Sequence, residues 1–107
     1  MMNPDQIFYR LESAANDFAD REAAASLLEE MKSTVLSQCA SDHPEDSMSK
    51  AESKARRDER FVEHLRSMVE ARKEANKAKS LYYSIQTWID LTRTKESTER
   101  AKIMKGL

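Results

Sequence analysis

The sequence predicts an all-α fold: a long antiparallel helical hairpin, coiled-coil-like, that self-associates. Three observations predict it. The 107 residues include one glycine and two prolines, too few for the turns that a sheet-rich fold needs. Charged residues make up 35% of the chain, and with Ala, Leu, Met and Glu they give the composition of long helices. Apolar residues also recur at alternating three- and four-residue intervals over two long stretches, the mark of a coiled-coil seam. So polar a chain could remain disordered, but the periodicity argues for structure. The length fits a single domain. A hydrophobic content of 39%, much of it alanine, fits a thin, elongated core better than a round one.

The first helix is predicted over about 4–39. Asn3 can cap it, Pro4 suits the first helical position, Asp5 favours the positive helix end, and Gln6 can complete a capping box. From there Ile7, Leu11, Ala14, Phe18, Ala25, Leu28, Val35 and Cys39 mark the seam. Arg21 and Lys32 fall on seam positions, where their stems can pack while their charges reach water.

A loop is predicted over about 40–48. Asp, Ser and Pro cluster in "ASDHPEDS", and Pro44 steers His43 away from helical backbone. Ser49 with Glu52 three residues later forms a capping box for the next helix, with Ser47 as a competing cap.

The second helix is predicted over about 49–105, roughly 55 residues and near 80 Å long. Its stripe is Phe61, His64, Met68, Ala71, Ala75, Ala78, Tyr82, Ile85, Ile89 and Thr92. The alanines in its middle allow close helix approach. Leu65, Val69, Leu81, Trp88 and Leu91 widen the stripe beyond what a two-stranded seam needs, so more than one neighbouring helix is expected.

The short loop makes the two helices antiparallel neighbours. At about 54 Å, the first helix then covers the second only to about residue 85. The stretch "SLYYSIQTWIDLTRT", 80–94, lies at and beyond that point. It carries three of the seven aromatic residues, including the only tryptophan. An uncovered apolar end calls for a partner, and a second copy of the chain is the simplest one. The expected interface is Tyr82, Ile85, Trp88, Ile89 and Leu91, in a dimer or larger homo-oligomer.

Charge is divided unevenly. Residues 1–47 hold ten acidic and three basic side chains, and residues 48–107 hold nine acidic and fifteen basic. The expectation is that the two halves lie against each other. The basic tail of Arg93, Lys95, Arg100, Lys102 and Lys105, with aromatic residues upstream, is the candidate nucleic-acid contact. The cluster Lys54, Arg56, Arg57 and Arg60 is expected to pair with nearby acids instead. The lone Cys39 rules out an internal disulfide and points to the cytoplasm. The opening "MMNPDQIFYR" lacks the pattern of a secretory leader, and no apolar run approaches the length of a membrane span.

The segment 57–103 resembles a family of small helical proteins encoded by tailed bacteriophages and prophages. The resemblance is carried by Phe61, His64-Leu65, Ala75-Asn76, Trp88-Ile89-Asp90-Leu91, Arg93-Thr94 and "STERAKI". It implies a bacterial host cell and a setting near recombination and replication genes. It implies no catalytic activity.

The residues themselves carry no catalytic signature: no glycine-rich phosphate loop, no Ser-His-Asp constellation and no set of His and Cys ligands. His64 reads as a seam histidine hydrogen-bonded to a partner, and Cys39 as a small buried hydrophobe. No metal, cofactor or small-molecule substrate is expected. The expected function is that of a non-catalytic interaction protein that binds and modulates a DNA-processing or host-defence protein. The alternative is a direct nucleic-acid-binding accessory of a phage recombination or replication module.

Overall fold

Reciprocal hydrogen bonds start the first helix. The Gln6 N–H donates to Asn3 Oδ1 at 2.8 Å and the Asn3 N–H donates to Gln6 Oε1 at 3.1 Å, the capping box that the sequence predicts. The computed structural model describes residues 3–106. Among them are four helices, α1 (Pro4–Glu30), α2 (Lys32–Ala40), α3 (Met48–Arg56) and α4 (Glu59–Gly106), and no strand. The fold is an all-α antiparallel helical hairpin. The chain divides into two compact units: Ala19–Asn76, and the first 18 residues paired with those from Lys77 onward.

Each of the two predicted helices is interrupted once. The first breaks at Met31, between α1 and α2. On either side the backbone ladder holds: Met31 N–H donates to Leu27 O and Val35 N–H to Met31 O, both at 3.0 Å. Between them, the Leu28 carbonyl accepts a hydrogen bond from His64 Nε2 at 2.8 Å. A carbonyl only accepts, so this nitrogen carries the proton. A side chain entering the ladder is a standard cause of such a break.

The second interruption, at Arg57–Asp58, corrects the single helix expected over 49–105. Arg57 and Asp58 N–H close on Lys54 O and Ala55 O, each at 3.1 Å, with three-residue spacing that tightens and ends α3. Asp58 then caps α4, with Oδ1 accepting the Arg60 N–H at 2.9 Å. The start of α3 also differs from the favoured expectation. Ser47, in extended backbone, is the cap, and its side chain accepts the Lys50 N–H at 3.3 Å. Ser49 lies inside the helix. The loop turns through His43–Asp46, where the Asp46 N–H donates to His43 O at 3.2 Å and Pro44 holds the second turn position that suits it.

In the unit Ala19–Asn76, α2 packs on α3, and the start of α4 closes the end of the hairpin. Cys39, Ala55 and Phe61 form the buried centre, with Val35, Leu36, Ala40 and Leu65 packed around it. Farther along, α1 and α4 run antiparallel, with Leu28 beside His64 and Glu22 beside Arg72. Of the eight buried apolar residues described, six are alanine. The seam is therefore narrow: backbones approach closely and little side-chain volume is enclosed.

Opposite charges meet across this seam, as the uneven charge distribution predicts. Arg72 donates to Glu22 at 2.6 Å and to Glu29 at 2.7 and 3.0 Å. Arg21, on a seam position, lies 3.5 Å from Glu74. Such partly exposed pairs add little stability singly, but they fix the register of α1 against α4.

In the other unit, Ala14 and Ala78 are buried, and Ile7, Leu11, Phe18, Tyr82, Ile85, Ile89 and Thr92 are half-buried along the facing stripes. Phe18 and Tyr82 stack with ring centroids 6.1 Å apart. Here the expected end of cover near residue 85 is corrected. Pro4, Ile7 and Phe8 share a groove with Trp88, Ile89, Thr92 and Arg93.

Candidate interaction surface

Side chains of α4 follow one another at about 100° per residue, so the stretch from Lys77 to Glu99 presents distinct flanks. Tyr82, Ile85, Ile89 and Thr92 face α1. Tyr82 also accepts a hydrogen bond from Gln86 Nε2 at 2.9 Å through its hydroxyl. Of the five residues expected at an interface, Tyr82, Ile85 and Ile89 are thus largely spent on packing within the chain. Trp88 and Leu91 remain open, 48% and 65% exposed.

Leu81, at 52% exposure, joins them. Leu81, Trp88 and Leu91 are seven and three residues apart, which aligns them on one flank of the helix. Ile7, Arg10, Leu81, Ser84, Ile85 and Trp88 line a groove of about 260 Å³ there. Beside it a wider groove of about 830 Å³ runs past Gln6, Tyr9, Ser13 and Asp17 of α1. One wall of this surface is apolar and comes from α4; the other is mostly polar and comes from α1. A third groove, of about 800 Å³, shares Ile7 and Trp88 with the first and is lined also by Phe8, Leu11, Ile89, Arg93 and Glu96.

The five candidate nucleic-acid residues do not share a face. Arg93 and Arg100 lie on one side of α4, while Lys95 and Lys102 lie about 180° away from them. Lys105 lies between the two pairs, and Arg100 stands 3.9 Å from Glu96. Every described residue from Arg93 onward is exposed. The threonines of this stretch turn back on their own helix: Thr92, Thr94 and Thr98 Oγ1 donate to Trp88 O, Asp90 O and Thr94 O at 2.8–3.0 Å.

Three members of the upstream basic cluster are spent on acids, while Arg57 Nε donates to the Ser53 carbonyl at 3.4 Å. Arg56 meets Glu52 at 2.8 Å, and Lys54 meets Asp46 at 2.7 Å. Arg60 holds Asp58 at 2.8 Å and also donates to Asp42 in the loop. These hydrogen bonds from Arg60 hold the Asp58 carboxyl down to about 2. Cys39 lies beneath this cluster, 1% exposed, and burial pushes its thiol above the ordinary value. It is a poor nucleophile, in keeping with its reading as a small hydrophobe.

One group was missed in the sequence because its members were judged singly. His43, Glu45 and Asp46 bring ligand atoms within 4.8 Å of one another in the loop. Asp46, however, is already held by Lys54 at 2.7 Å and Lys50 at 3.7 Å, and these cations lower its pKa. Two ammonium groups at the same carboxylate oppose a metal ion.

Among the described residues, no helix is long and apolar enough to cross a membrane. No protein-family model, curated protein or solved structure matches the chain.

Proposed function

We propose that this chain is a non-catalytic interaction protein that works through the α4 flank of Leu81, Trp88 and Leu91. One observation carries the reading: the only tryptophan stands 48% exposed on an aligned apolar flank, while the stripe beside it is occupied by α1. Large aromatic side chains with an open face commonly anchor protein contacts. The resemblance to phage-encoded helical proteins supplies the class of partner, a DNA-processing or host-defence protein of a bacterial host. The scatter of Arg93, Lys95, Arg100, Lys102 and Lys105 around the helix weakens the nucleic-acid alternative, which wants a continuous basic track.

Photo-cross-linking separates the two. A photoreactive phenylalanine derivative placed at position 88 or 91, in the chain expressed in bacteria, should form adducts with protein. The same group at Met48, which is 90% exposed in α3, should not. Adducts with nucleic acid alone, or adducts equally abundant at position 48, would overturn the reading.

A further inference from the structure

We draw no further inference here: the strongest candidate, the exposed apolar flank of Leu81, Trp88 and Leu91 on α4, belongs to the contact surface already described, and nothing in the structure shows what covers it.

Discussion

Replacing Phe61 by alanine should be the most damaging single truncation in the unit Ala19–Asn76. Phe61 is 2% exposed and is the one large side chain among the buried residues described. It touches three helices' worth of core: Cys39 and its neighbours from α2, Ala55 from α3, and Leu65 on its own helix. Removing its ring forfeits about 2 kcal/mol of transfer free energy. The cavity adds to that, but Val35, Leu36 and Leu65 are only half-buried and can lean inward. The total should be about 3 kcal/mol, the low end for such a change. Domains of this size have about 5–15 kcal/mol in all, so the loss is large. Urea unfolding followed by circular dichroism would measure it, with Phe61→Leu as the companion at about 1 kcal/mol. Amide exchange should rise in α2, α3 and the first turns of α4 more than in residues 77–92. A cost under about 1 kcal/mol for alanine, or one equal to that for leucine, would refute the claim that this ring anchors the closed end of the hairpin.

Three further outcomes follow from the helix contacts. Ala75 is fully buried, so Ala75→Leu should overpack the seam and cost roughly 1–3 kcal/mol in a thermal melt; Ala24→Leu, at an exposed position, should stay within about 0.5 kcal/mol of wild type. Ser47→Ala should cost about 1 kcal/mol as a lost cap, while Ser49→Ala, inside α3, should be close to neutral; the reverse order would restore the capping box at Ser49. Asp58 has a folded pKa lowered to about 2 against an unfolded value of about 3.9. Its contribution to stability is therefore fully present above the unfolded value and is lost as pH falls through about 2. Asp58→Asn should flatten the melting temperature between those two values, and an unchanged acid profile would show that Arg60 does not hold it.

The seams were legible because they are periodic. Every residue assigned to the first seam, from Ile7 to Cys39, is buried or half-buried except the two charged ones, Arg21 and Lys32. Every residue of the second stripe, from Phe61 to Thr92, is buried or half-buried as well. The breaks were less legible, because each depends on a contact between distant residues. Nothing near Met31 opposes a helix, and the interruption follows from His64, 36 positions beyond Leu28, reaching the Leu28 carbonyl. Asp58 could have been read locally. An Asp ahead of Glu59 is a helix-start signal, but it sits among basic residues that drew attention as a charge cluster.

The candidate surface was half legible for a related reason. Hydrophobicity alone cannot say which of two adjacent stripes on one helix is taken by the chain's own partner. Counting lengths along straight helices left all of Trp88, Ile89 and Leu91 uncovered. In the structure the start of α1 shares a groove with Ile89 and Thr92, and the open residues lie on the neighbouring flank. That shift changes what the surface can do. A bare helix end would accept any apolar cover, whereas Leu81, Trp88 and Leu91 present their side chains at a fixed spacing along one flank of α4. It discriminates by shape, since a partner must fit a tryptophan flanked by two leucines along one helix. Specificity of this kind comes from the order of side chains along the helix, and the cover that α1 gives to Tyr82, Ile85 and Ile89 leaves Leu81, Trp88 and Leu91 as the exposed flank.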